Sequence, residues 1–279
     1  MDIRINGNPA DITLETEQTL GEILSGIEDW LGPSGYALSG LRINGAPVGA
    51  ASIAEAFSRN LRDIESLEVE TSNWQDLTLE ALLSVRQRLE AYQEASFEEK
   101  RPIREDWEES AAASFLSGND PDLFQCILKT LKGEGLSPEQ LRGIIGERIR
   151  ELSDPLAELH TIDPLIEGIA KRLEDLPLDI QTGKDSRAAE TVQLFSTITE
   201  KLFRLFSLLQ FRSLVTESGT IDGLSFHDFI EEFSAALREL LAAYEVKDAV
   251  LVGDLAEYEL APRLRSFYAA INTPVTTVT

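Results

Sequence analysis

Residues able to do chemistry are few in this 279-residue chain, and their spacing disqualifies most of them. A serine nucleophile needs Gly-x-Ser-x-Gly on a strand-to-helix turn with an imidazole base nearby, and no serine here meets that pattern. His160 and His227 are the two imidazoles, and both stand in helical stretches beside acids, where a histidine is solvated or caps a helix. A di-iron bundle needs Glu-x-x-His, but Ala157 and Leu224 stand three residues before the two histidines. The segment Thr220 to Glu231 looks like the second half of a calcium loop entering its helix. With Gly223 as the sixth loop residue, however, the first ligand is Ser218 and the twelfth is Phe229, where calcium needs a bidentate glutamate. Ser225 as the N-cap of the next helix explains that segment better. Gly183-Lys184 approximates the end of a phosphate loop, with Leu178 in place of the leading glycine and Asp185 in place of the hydroxyl residue. Gly133-Glu-Gly135 has neither a preceding strand nor a third glycine, and reads as a turn.

One carboxylate cluster survives this sieve. Asp254, Glu257 and Glu259 flank Tyr258, with Asp254 and Glu257 on one helical face, and paired carboxylates do acid–base work or hold a hard metal. In a chain with 49 acidic residues such pairs usually mark a solvated face. The expectation is therefore a protein without catalytic, cofactor-binding or metal residues.

Charge narrows the partners. A net charge of −24 and a pI near 4.4 disfavour nucleic acid and anionic lipid, since phosphate contacts need clustered Lys and Arg. Within this acidity Lys184, Arg187, Lys201, Arg204 and Arg212 make residues 184–213 net +2. That run reads either as internal complementarity with acidic neighbouring helices or as a docking surface for an acidic partner. Cys126 is the single cysteine, so no intrachain disulfide forms, and its setting Phe124 to Leu128 predicts a buried thiol. No basic stretch with an apolar run opens the chain, and nowhere do about 18 uncharged apolar residues run together, so a cytoplasmic protein off the membrane is expected.

The elements that would position these residues change character near residue 72. Before it stand two copies of one hexapeptide, Arg4-Ile5-Asn6-Gly7-Asn8-Pro9 and Arg42-Ile43-Asn44-Gly45-Ala46-Pro47. Each reads as a strand entering an Asn-Gly turn, because both turn residues need φ > 0. Ile3 and Ile5, then Ile12 and Leu14, predict a first hairpin with one buried face. Leu20, Ile23, Leu24, Ile27 and Leu31 recur at helical spacing and stop at Gly32-Pro33-Ser34-Gly35. Leu41 and Ile43 lead into the second turn, residues 53–60 make a short helix, and Ile64, Leu67 and Val69 a closing strand. This order over residues 1–71 resembles the ubiquitin-like β-grasp fold. Modifiers and sulfur carriers of that fold react through a free terminal Gly-Gly, which neither Glu68 to Thr71 nor Thr279 supplies. The resemblance then implies a recognition module.

From residue 72 to 271 the spacing is helical throughout, which makes the fold class α+β: a β-grasp-like domain followed by a larger all-α bundle, with 272–279 a flexible tail. A first helix spans Leu77 to Tyr92 and is interrupted before Pro102. Breaks follow at Ser117–Pro121, Lys132–Pro138 and Asp154-Pro155. Leu176 to Gly183 reads as a linker, a candidate sub-boundary near 176–187. Val192 to Phe211 is apolar around most of its circumference, Phe226 to Tyr244 carries a one-sided stripe, and Pro262 should kink or restart the last helix. The reading as a whole is a non-enzymatic protein-interaction adaptor or assembly factor. The alternatives are an acidic cytoplasmic chaperone for an exported or assembling subunit, and a carboxylate enzyme using Asp254 and Glu257.

Overall fold

The computed structural model describes residues 1–10, 12, 17–49, 52–215 and 220–272. The chain divides into two compact units, Met1–Leu152 and Ser153–Thr279.

The first unit opens with a mixed five-stranded sheet of order β2-β1-β5-β3-β4. β1 (Asp2–Ile5) lies parallel to β5 (Ser66–Asn73). β1 pairs antiparallel with β2 (Asn8–Pro9), and β3 (Tyr36–Ile43) pairs antiparallel with β5 and with β4 (Ala46–Pro47). Both Asn-Gly pairs take the left-handed conformation the sequence asks of them, Asn6 and Gly7 at φ 50° and 77°, Asn44 and Gly45 at 52° and 79°. Alternation sends Ile3, Leu41, Ile43, Leu67 and Val69 inward against α1 (Leu20–Leu31), whose buried stripe is Leu20, Ile23, Leu24, Ile27 and Leu31. A capping box between Thr19 and Glu22 starts that helix. On the other face Arg4 and Arg42 stand opposite Glu68 from the two sides. At Gly40 the register with β5 shifts, and a Cβ there would meet a Glu70 carboxylate oxygen at 2.6 Å, so a larger residue would have to push the end of that exposed side chain aside.

Among the described residues the returning strand of the expected first hairpin is Asn8–Pro9 and Ile12 belongs to no strand, while Leu14 lies outside them. Pro9 cannot itself donate, but the Ala10 amide beyond it still donates to the Ile3 carbonyl at 2.9 Å.

After a five-residue helix, α2 (Ile53–Phe57), β5 passes directly into α3 (Trp74–Glu94), and α4 (Phe97–Glu108), α5 (Ala111–Asn119), α6 (Pro121–Leu131) and α7 (Pro138–Ser153) follow. The predicted stops at Pro121 and Pro138 hold. Asp120 caps α6, and Ser137 exchanges hydrogen bonds with Gln140 at the start of α7. The predicted interruption before Pro102 falls at Ala95-Ser96, between α3 and α4, so the charged run Glu98–Arg101 and Pro102 itself lie inside α4. The carbonyl this proline leaves unpaired belongs to exposed Glu98, where water can satisfy it, and the Ser96–Glu99 capping box carries the helix start. Cys126 is half-buried rather than buried, and burial raises its thiol pKa against the pull of Lys129.

The second unit contains α8 (Pro155–Glu174), α9 (Leu176–Gln181), α10 (Asp185–Phe211), α11 (Phe226–Glu245), α12 (Ala249–Asp254) and α13 (Ala261–Ile271). Leu176–Gln181, expected as a linker, is helical because buried Leu176 and Asp179 tie it to the core and to Lys184. A two-strand hairpin, β6 (Thr220–Ile221) and β7 (Leu224–Ser225), precedes α11. The core is a cluster of phenylalanine rings: Phe233 touches Phe195, Phe203, Phe229 and Phe267 at 5.6–6.1 Å between centroids. A π-helical turn over Leu255–Leu260 joins α12 to α13, which restarts at Ala261 with Pro262 in its first turn, where the missing N–H is tolerated.

Candidate functional site

The carboxylate cluster falls on the π-helical turn. Asp254 is exposed, Glu257 half-buried, and Tyr258 is 67% exposed with its pKa raised by the adjacent Glu257. Glu259 pairs with Arg263, which also reaches Glu232 at 3.3 Å. None of these residues lines any of the cavities described below, and among the described residues no group of three His, Cys, Asp or Glu is arranged to hold a metal. Both histidines are exposed. In the calcium-like segment Asp222 and Gly223 form a hairpin turn at φ 53° and 85°, and the Ser225 hydroxyl accepts from the Asp228 amide at 3.1 Å as N-cap of α11. Ser218, the first ligand of that template, lies outside the described residues.

The basic run is engaged inside its own unit. Lys184 and Arg187 approach buried Asp179 at 3.2 and 3.0 Å, and Lys201 is buried with its Nζ 2.9 Å from Glu158. Arg212 donates to the Ser153 carbonyl at 3.4 Å, and Arg204 is half-buried on α10. Of the two sequence readings, internal complementarity describes Lys184, Arg187 and Lys201.

Two concavities that sequence reasoning did not single out lie on the two flanks of α1. On the β1–β2 flank a groove of about 560 Å³ is lined by Ile5, Ala10, Ile12, Ile23, Gly26 and Ile27, with Glu17 and Glu22 beside it. Trp30 stands at this groove 67% exposed, an unusual position for so large an apolar side chain. Position 30 lies three residues beyond Ile27, beside the stripe, but the buried register is completed by Leu31. On the β3 flank a cleft of about 710 Å³ lies between Leu38, Ser39 and Ile53 on one side and Leu77, Ala81 and Phe115 of α3 and α5 on the other. Glu28 and Glu80 line it, and neither has an ion-pair partner among the described residues. Arg88, the one cation of this lining, is already held by Asp106 and lies 5.9 Å over the Trp107 ring.

Fold and surfaces together define a small N-terminal sheet domain carried by a mostly helical protein. Residues 1–73 are similar to the family of the TP0873 N-terminal domain, which stops where β5 stops, and residues 157–270 to a domain of unknown function (DUF8042). An uncharacterized protein of Treponema pallidum (strain Nichols) is 24% identical over 265 residues, spanning 95% of this chain and 93% of its own. No solved structure gives a match. No described helix is long and apolar enough to cross a membrane.

Proposed function

We propose that this chain is a non-enzymatic protein-interaction module, an adaptor or assembly factor, and that its N-terminal domain is a ubiquitin-like β-grasp. The sheet order with β1 and β5 parallel at its centre and one helix packed across supports the fold reading. The functional reading is carried by the pair of concavities on opposite flanks of α1, one mostly apolar with an exposed tryptophan and one of mixed polarity, because a protein that joins two others needs two separated docking surfaces.

The α1 groove gives the test. Full-length chain immobilised in extract of its own cells should capture a protein in near-equal amount. Trp30→Ala should lower that capture about ten-fold or more without moving Tm, since exposed tryptophans at interfaces carry much of the binding. Gly26→Arg, at a helix position where a Cβ meets nothing within 4 Å, should fill the groove and do the same. Absence of a stoichiometric partner, or undiminished capture by both variants, overturns the reading.

A further inference from the structure

We infer that the open run of β3, Tyr36–Gly40, takes an added strand from a partner, an extended peptide segment bearing Lys or Arg. This rests on the reading of the chain as an interaction module but concerns a surface separate from the Trp30 groove. β3 has eight residues, of which β4 pairs only with Arg42 and Ile43, while Val48 donates to the Leu41 carbonyl at 2.9 Å. Tyr36–Gly40 therefore have β5 on one side and, among the described residues, no strand on the other. Unpaired strand N–H and C=O groups are a template for another strand. Elsewhere the sheet closes its edges: β2 and β4 are two residues long and each ends in proline, Pro9 and Pro47, which cannot donate.

The space beside this run suits an extended chain. Leu38, Ile53, Leu77 and Phe115 wall it with apolar surface, and buried Ala81 adds a small side chain, leaving room at the helices for a side chain of the incoming segment. The register shift between Leu38 and Gly40 limits regular pairing to Tyr36–Leu38 before the ladder breaks. A short ladder plus one apolar pocket makes a weak, exchangeable contact. Sign of charge selects the occupant. With Arg88 held by Asp106, the uncompensated charges of the lining are Glu28 and Glu80, in a chain of net −24, so a basic segment is attracted and an acidic one repelled.

The experiment is selection of a random nine-residue peptide library on the full-length chain. The expected consensus alternates β-branched or aromatic residues with at least one Lys or Arg. A synthetic copy should slow amide exchange in Tyr36–Gly40. Methylating alternate backbone nitrogens of the peptide should weaken it about ten-fold or more, as should Glu80→Lys, which does not lower Tm because Glu80 is exposed. The inference falls if no peptide is enriched, if the consensus is acidic or helical, or if protection maps elsewhere. It falls too if sedimentation shows the chain self-associating with Tyr36–Gly40 protected, which makes a second copy the occupant. Selection repeated on Gly26→Arg should return the same peptides; their loss would place the binding in the Trp30 groove and overturn the inference while sparing the broader reading.

Discussion

Lys201 shows what a single residue can hide. In the sequence it is one of five cations that stand out against an acidic chain; in the fold it is buried on α10 with Glu158 of α8 at 2.9 Å. Desolvating both charges is repaid only while they stay paired, so Lys201→Met leaves a buried carboxylate and should cost about 3 kcal/mol in urea unfolding. A docking role would show the opposite signature, lost binding at unchanged stability. The pairing was not legible because it joins residues 43 apart and depends on how α8 meets α10. Exposure of Trp30 was hidden for a similar reason: the stripe gives the direction of a side chain, but which neighbour covers it is a property of the sheet. The histidines and the calcium-like loop were legible because those arguments count ligands locally.

At the scale of elements the twin hexapeptide does more than turn the chain. Asn44 Oδ1 accepts from the amides of Glu65 and Ser66 at 2.8 and 3.1 Å, at the entry of β5, and Asn6 Oδ1 accepts from the Thr71 amide at 2.8 Å, near its exit. The central strand is thus held at both ends by the same residue of the same motif. Asn44→Gly keeps the left-handed turn and loses the side-chain bonds, and should cost about 1 kcal/mol. Asn44→Ala loses the bonds and adds the left-handed penalty, about 1 kcal/mol more. Equal losses in paired thermal melts would mean that the turn conformation carries no strain at this site. Caps and turns were readable in advance because they are local chemistry, as Ser225 and the two Asn-Gly turns show. Pro102 and Pro164 within helices were not, because tolerance of a lost hydrogen bond depends on what surrounds the orphaned carbonyl.

Over the whole molecule the excess of 49 acids over 25 bases is only partly neutralised by ion pairs such as Arg265, which reaches Glu167 at 2.7 Å and Glu174 at 2.6 Å. Self-repulsion of the remainder works against the compact state and is screened by salt over a Debye length of about 10 Å at 0.1 M. Raising NaCl from low concentration to about 0.5 M should lift Tm by a few degrees; a falling Tm would mean that the ion pairs outweigh the repulsion. One junction has a mechanical meaning. Asn73 is the last residue of β5 and also the N-cap of α3, its side chain accepting from the Gln75 amide at 2.7 Å, while Trp74 donates to the Gly35 carbonyl at 3.1 Å. No slack separates strand from helix. A torque on α3 is delivered straight to the strand that neighbours grip on both sides, so the join behaves as a shaft rather than a hinge, and a load on the helices is felt in the sheet.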